Sequence, residues 1–499
     1  MRGWLGAMAG AALALLAGAA AGDERRADAD FSAQIEAARA AEDADPAEGE
    51  RMLRALIASP EFRAAPAQQK TYAQRLLGWA LLDQRKCDEA LALGHRLVTA
   101  PAPGEYDWRY EIYAAVGCGQ RERAAAALAA LRQTYPDALA DMDSDMVMLA
   151  AAASDDPQLL SYLVDGNWRP KRATIDISGL RLALVRAYVS HGDQERAAEA
   201  AQALVANGAN LASILILELD KTFDAIVAAS PATYDLDGIL SWRMNNARTA
   251  AQANPTSLEA VNSLARAFYE RNQLAEAKAL VEDALGRVAA TPDAPPYGDL
   301  DANLNWTRNL QSEIEKALGD NEAAVAALRS GAETLEQGSP NVSQRLNLAS
   351  MLADLGEPQQ ALAQIENFDT RNTSSYGVMV LRNVRVCAYA QLHDETRMRA
   401  ELAEMTAHAE DGPSVLVDAA LCAGDDDLAA TWFMRQFDEP LTRLMAILSV
   451  QNFAGDGEGL TPRQRERYDR FAAILARPDV HAAIERACHV RSFALRRPY

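Results

Sequence analysis

The sequence predicts an all-α fold: a superhelical solenoid of stacked antiparallel helix pairs. Three observations predict it. A turn glycine with a small residue five positions later recurs as Gly119/Ala124, Gly192/Ala197, Gly319/Ala324, Gly356/Ala361 and Gly424/Ala429. Arg85/Ala90, Asn272/Ala277 and His393/Met398 keep that spacing with another residue at the turn. About nine residues before each turn, apolar or small side chains fall on a helical period, which marks the first helix of a pair. Self-similarity of this kind is the signature of repeat architectures, which absorb a long chain as one array.

Composition sets bounds. Of 499 residues, 49% are hydrophobic and 24% charged, so material for a core is ample. Much of the apolar content is alanine, a strong helix former small enough for close helix packing. The formal net charge of -21 argues against nucleic acid and anionic lipid, which need a clustered positive surface. A well-solvated acidic surface is the plain reading.

The elements follow in order. Residues 1–21 (MRGWLGAMAGAALALLAGAAA) carry one arginine, an apolar stretch and small residues up to Ala21, the pattern of a secretory signal peptide. Cleavage after Ala21 and a periplasmic or secreted location are expected, with no membrane insertion of the mature chain. The rival is an uncleaved anchor, for which this run is short and Ala/Gly-diluted. Residues 22–65 read as a charged tail (22–30) and two capping helices, 31–41 and 46–58. The second has Asp45 as N-cap and Pro46 at its first position. Residues 66–138 and 256–440 hold the recognisable repeats, and 139–255 read as divergent helical repeats. Within them 214–219 is apolar enough for a strand but is assigned to a buried helix. From Ala277 onward the small residues are spaced 31 to 47 apart, so inserts sit in loops. The clearest is 291–301, where three prolines and a glycine exclude a continuous helix. Residues 441–499 are expected to cap the far end.

The family becomes recognisable in two windows. The first carries Leu77, Gly78, Leu81 and Ala90; the second carries Trp108, Ala115, Gly119, Ala124 and Pro136 in register, with Glu111 and Ile112 in place of the Leu-Gly pair. Leu264, Ala265, Phe268, Asn272, Ala277 and Ala284 give the fullest match. This resembles the tetratricopeptide repeat, W-x2-L-G-x2-Y followed by a small residue and Pro, with a period of about 34 residues. The resemblance implies a right-handed solenoid and a binding scaffold. Beyond the repeat, the chain is similar to exported repeat proteins of Gram-negative bacteria.

No catalytic signature is present: no Walker loop, G-x-S-x-G, H-E-x-x-H or C-x-x-C. Gly455, Gly457 and Gly459 have no preceding strand and read as a loop. Asp141, Asp143 and Asp145 lack the glycine and closing glutamate of a calcium loop. None of the six histidines pairs at metal-ligand spacing, so no metal or cofactor is expected. The sequons at Asn305, Asn341 and Asn372 carry no weight in a bacterial export product. In repeat register Cys87 starts the second helix of one unit and Cys118 ends the first helix of the next, which makes them a candidate disulfide. Cys387 and Cys422 lie in adjacent units but at different heights, and Cys488 is left over. The alternative is that all five are buried small apolar residues.

In stacked helix pairs the first helices line the inner groove. Candidate groove residues are Tyr72, Arg75 and Trp79, then Tyr106, Arg109 and Tyr113, where rigid aromatics and arginines suit recognition. Further along are Asn262, Arg266, Asn309 and Asn383, whose amides suit the backbone of an extended peptide. The expectation is a non-enzymatic scaffold binding a protein or peptide partner, in envelope biogenesis or polysaccharide export. The alternatives are the scaffold of a glycan-acting enzyme and a self-associating envelope protein.

Overall fold

The computed structural model describes residues 22–168, 176–207, 210–229, 234–291, 293–335, 341–368, 370 and 373–498, with side chains from residue 30. The signal-peptide reading of residues 1–21 and the sequon at Asn372 lie outside them. The chain divides into two units, Met1–Ala187 and Tyr188–Tyr499.

The first unit comprises α1 (Gly22–Ala44), α2 (Pro46–Ala58), α3 (Pro60–Ala64), α4 (Ala67–Asp83), α5 (Cys87–Val98), α6 (Glu105–Gly117), α7 (Arg121–Thr134), α8 (Ser144–Ala151) and α9 (Pro157–Val164). The helix α10 (Ser178–Ser190) crosses into the second unit. That unit continues with α11 (Gln194–Ala206), α12 (Leu211–Leu219), α13 (Asp224–Ala229), α14 (Leu236–Ala253), α15 (Leu258–Glu270), α16 (Leu274–Ala290), α17 (Leu300–Ala317), α18 (Asn321–Glu333), α19 (Val342–Asp354) and α20 (Pro358–Ile365). It ends with α21 (Ser375–Gln391), α22 (Glu395–Ala407), α23 (Pro413–Ala423), α24 (Asp426–Arg435), α25 (Pro440–Ser449), α26 (Pro462–Leu475) and α27 (Pro478–Ala487). The architecture is an all-α stack of helix pairs, tetratricopeptide-like in register.

The eight turn positions explain the pairing. Gly119, Gly192, Gly319, Gly356 and Gly424 have φ between 70° and 85°, and Arg85, Asn272 and His393 have φ of 57° to 59°. Each is the left-handed residue that ends a first helix. The next residue's N–H donates to the carbonyl five back, as in Gln120 to Ala115 at 2.8 Å and Asp320 to Glu315 at 2.9 Å. These are Schellman caps, which satisfy carbonyls left open at a helix end. Five residues on, Ala90, Ala124, Ala197, Ala277, Ala324, Ala361 and Ala429 are completely buried, because only a methyl fits where the second helix crosses the first. Gly78 serves a related purpose: a Cβ there would run into the ring of Tyr110 on the next first helix. The ring fills that gap and its hydroxyl donates to the Ala90 carbonyl at 3.0 Å.

Several local expectations meet a different structure. Residues 22–30, expected as a tail, are the first part of α1. A strand does precede the glycine loop: β1 (Asn452–Phe453) pairs in parallel with β2 (Ser492–Phe493). Residues 214–219, by contrast, are helical and largely buried, as expected, inside α12. The insert 291–301 contributes Asp299, whose carboxylate accepts from the backbone N–H groups of Leu258 at 2.7 Å and Glu259 at 3.0 Å, capping α15. Against the cost of burial, those bonds hold its carboxyl below the usual range.

The largest departure is the C-terminal segment. It does not simply cap the last pair but doubles back along the turns of the second unit. Gly459 lies against the Lys316 carbonyl at the end of α17. Thr461 Oγ1 donates to the Asp354 carbonyl at 2.6 Å, Gln464 reaches the Asp354 carboxylate at 2.6 Å, and Arg467 pairs with the same carboxylate. Arg470 and Arg477 bridge to Asp426 and Asp427 at 3.1 and 2.7 Å. Nearer its end, Arg491 pairs with Glu218 at 2.6 Å and Arg496 donates to Asn272 at 2.7 Å. Asp220, 2% exposed, receives Arg443 in two bonds of 2.6 and 2.8 Å. The physical reason is charge. Residues 441–499 carry ten arginines against six carboxylates in an otherwise strongly acidic chain.

Two disulfides staple successive helix pairs, one within each unit. Cys87 and Cys118 are bonded with Cα atoms 5.6 Å apart, and Cys387 and Cys422 with Cα atoms 5.0 Å apart. The second pair differs by one helical turn in its distance from the respective turn residues. The bond therefore puts α23 one turn out of step with α21. Cys488 is a buried free thiol.

Candidate functional site

The inner faces of the first helices differ between the units. In the first unit, α1 covers one side: Tyr72 is half-buried and its hydroxyl lies 3.4 Å from Glu36. Arg75 pairs with the buried carboxylate of Asp107 at 2.7 Å. Trp79 is wedged edge-on between Tyr110 and Tyr113, with ring centroids 5.5 and 5.3 Å away. Arg109 is 6% exposed and donates to the Ala138 carbonyl at 3.0 Å. Burial pushes the Tyr113 hydroxyl up, next to Asp143 at the start of α8. Of the six residues read here as groove-lining, only Tyr106 is largely exposed, and the guanidinium groups of Arg75 and Arg109 lie 5.6 and 5.3 Å from its ring centre. The structure brings these side chains together, but as a packed and internally bonded layer.

In the second unit the corresponding face keeps two aromatic side chains, Trp306 and Tyr376, exposed. Along α17, Trp306, Asn309 and Glu313 fall on one face at helical spacing, and Trp306 is 48% exposed. Arg266 of α15 pairs with Glu313, Asn309 donates to Glu313 at 2.6 Å, and Asn347 of α19 donates to Asn309 at 2.9 Å. One polar ladder thus crosses three successive first helices. Asn262 lies one turn before Arg266, with its side-chain oxygen buried and unpartnered. Asn383 lies on α21 seven residues after Tyr376, which is 56% exposed. Asp418 of α23 is exposed; desolvation by the residues around it, with Arg467 opposing and Asp354 adding, pushes its carboxyl up to about 6.

Sequence reasoning missed Trp306, Glu313, Asn347, Tyr376 and Asp418. The i, i+3, i+7 run of Trp306, Asn309 and Glu313 was the available signal, hidden because 300–317 is a polar helix with few repeat residues. The remaining sequence candidates have local roles. Asp143 caps α8 by accepting from the N–H groups of Asp145 and Met146. Gly455, Gly457 and Gly459 make room for Arg496, Arg465 and the Lys316 carbonyl. Asn305 and Asn341 are buried. Among the described residues no three His, Cys, Asp or Glu side chains group as metal ligands.

No family model matches the chain, and no curated protein matches it. Three solved structures illustrate what it is similar to. NprR in complex with its cognate peptide NprX matches at 13% identity and a TM-score of 0.30, over 79% of this chain and 93% of that one. The APC/C hetero-tetramer Cut9-Hcn1 matches at 12% and 0.23, over 83% and 97%. A circular tandem repeat protein matches at 16% and 0.12, over 93% and 98%. Superpositions this loose carry no argument about what the chain does.

Proposed function

We propose that the protein is a non-enzymatic interaction scaffold of the bacterial envelope. It binds an extended segment of a partner protein along the first helices of its second unit. The observation that carries this reading is the open row Arg266, Trp306, Asn309, Asn347, Tyr376 and Asn383. Amides can pair with the N–H and C=O groups of an extended backbone, and exposed aromatics supply rigid apolar anchors. First helices packed side by side present these groups in one line without the partner having to order them, which lowers the cost of binding.

Periplasmic location belongs to the same proposal. The apolar N-terminal stretch supports it, and so do two disulfides, which persist in oxidising compartments. A place in envelope biogenesis or polysaccharide export follows from the sequence resemblance alone.

The test is photocrosslinking in a Gram-negative host, with a benzophenone amino acid at Trp306 or, as a control on the opposite side, at Glu282 of α16. The expected result is a discrete adduct from position 306, absent from 282, in the periplasmic fraction. Adducts of equal yield from both positions, or none from 306, would sink the groove. Protein confined to the cytoplasm would sink the compartment.

A further inference from the structure

Residues 491–498 leave the helices and pass through a cradle made by the loop 452–456 and the end of α15. Main-chain bonds hold the segment first. Asn452 N–H donates to the Arg491 carbonyl at 3.0 Å. Ala454 N–H is shared between the carbonyls of Phe493 at 3.1 Å and Leu495 at 2.8 Å. Arg496 N–H in turn donates to the Glu270 carbonyl at 2.8 Å.

Side chains then take fixed seats. Phe493 stacks on Phe453, with ring centroids 5.1 Å apart, and Leu495 is buried. The Arg496 guanidinium lies 5.6 Å from the ring centre of Tyr269 and donates to the Asn272 side chain at 2.7 Å. Gly455 leaves it that room, since a Cβ there would come within 2.8 Å of the guanidinium. Arg497 lies 4.9 Å from the centre of the Phe453 ring and pairs with Asp456 at 2.8 Å. Each of two consecutive arginines thus has an aromatic ring and a hydrogen-bond acceptor of its own. Peptide recognition by strand addition divides the work in the same way, with main-chain bonds for affinity and side-chain seats for specificity.

The segment is held without belonging to a core. Of residues 491–498 only Leu495 and Pro498 are buried, and the strand pairing is two residues long. A two-stranded pairing that short has little stability of its own. Segments with few buried apolar contacts open at the low end of the local free-energy range. The covalent tether offsets this by presenting the segment at an effective concentration of roughly millimolar.

We infer that the loop 452–456 and the end of α15 form a peptide-binding site for a non-helical segment with two consecutive arginines, and that residues 491–498 fill it as a displaceable internal ligand. The inference does not depend on the groove reading. A partner segment that supplies the same two arginines takes the place of the chain's own.

The experiment measures fluorescence anisotropy of a labelled peptide with the sequence of residues 489–498. Salt is kept at about 0.15 M, where long-range attraction to the acidic surface is screened. The peptide is added to the mature full-length protein and to its variant Arg496→Ala/Arg497→Ala, whose own segment is loosened. The variant should bind about tenfold more tightly than the unmodified protein. Citrulline at both peptide arginines should remove that gain, and adding Asp456→Asn to the variant should weaken binding about fivefold. Circular dichroism controls for folding. Should the variant not fold, amide hydrogen exchange of the unmodified protein decides. The N–H groups of Asn452, Ala454 and Arg496 should then exchange about a hundredfold faster than those inside α15 and α23. Equal affinity for the two proteins, or no binding to the folded variant, would overturn the inference. So would undiminished binding of the citrulline peptide or after Asp456→Asn, or protection of those three amides equal to that of the helix interiors.

Discussion

The two units use the same repeat and present opposite inner faces. On α4 and α6, Arg75, Trp79, Arg109 and Tyr113 find partners within the unit, and neighbouring segments close over them. On α15, α17 and α19, Arg266, Glu313, Asn309 and Asn347 bond mainly to one another and leave Trp306 in solvent. Residue type alone therefore does not make a binding face. An aromatic on a first helix becomes structure when a neighbour covers it, as Trp79 does, and stays exposed when none does, as Trp306 does.

A second difference lies in how the units are tied. In the second unit the arginine-rich C-terminal segment crosses the turns of several pairs and reaches Asp220. Removing Arg443 would leave that buried carboxylate unpaired, which typically costs about 3–5 kcal/mol. Arg443→Ala should therefore lower the denaturation midpoint of the second unit most among surface-reaching changes. A first-unit transition that moves equally would break the comparison.

Next in size is Gly78→Ala in the first unit. The added methyl meets the Tyr110 ring, and overpacking of this kind costs about 1–3 kcal/mol. The closed aromatic layer should loosen, read as a lower midpoint together with altered near-ultraviolet dichroism. An unchanged midpoint would show that the layer is not tightly packed.

The smallest effect has a pH signature. The Asp418 carboxyl is raised in the folded state, so the folded protein holds its proton more tightly than the unfolded chain. Its ionisation then costs stability above pH about 6, and the cost disappears as pH falls through 6 toward the unfolded value near 4. Because the side chain touches water, the effect is about 1 kcal/mol or less. Asp418→Asn should raise the midpoint at pH 8 and leave it unchanged at pH 4. A rise of equal size at both values would mean that this carboxyl is not raised in the folded state.

How much was legible in the sequence follows from these same residues. The turn residues and the alanines after them were readable because a left-handed φ and a helix crossing each demand a residue type at a fixed spacing. The chain's course after Gly424 was not. Pairing of Arg467 with Asp354 or Arg443 with Asp220 spans more than a hundred residues, and no local spacing encodes it. The candidate face was half legible. Helical period placed Asn262, Arg266, Asn309 and Asn383 on first helices, but it could not tell that α1 and α8 close the N-terminal face. Nor did a repeat template find Trp306 or Tyr376, since neither occupies a position the template specifies.

The most direct test of the open-versus-closed contrast is the yield of the Trp306 photoadduct in cells carrying one of two paired variants. Asn309→Ala/Asn347→Ala should reduce that yield about tenfold, while Arg75→Ala/Arg109→Ala, at matched levels of folded protein, should leave it within about twofold. Loss of the adduct in the arginine pair, with the asparagine pair unaffected, would contradict the account and move recognition to the first unit.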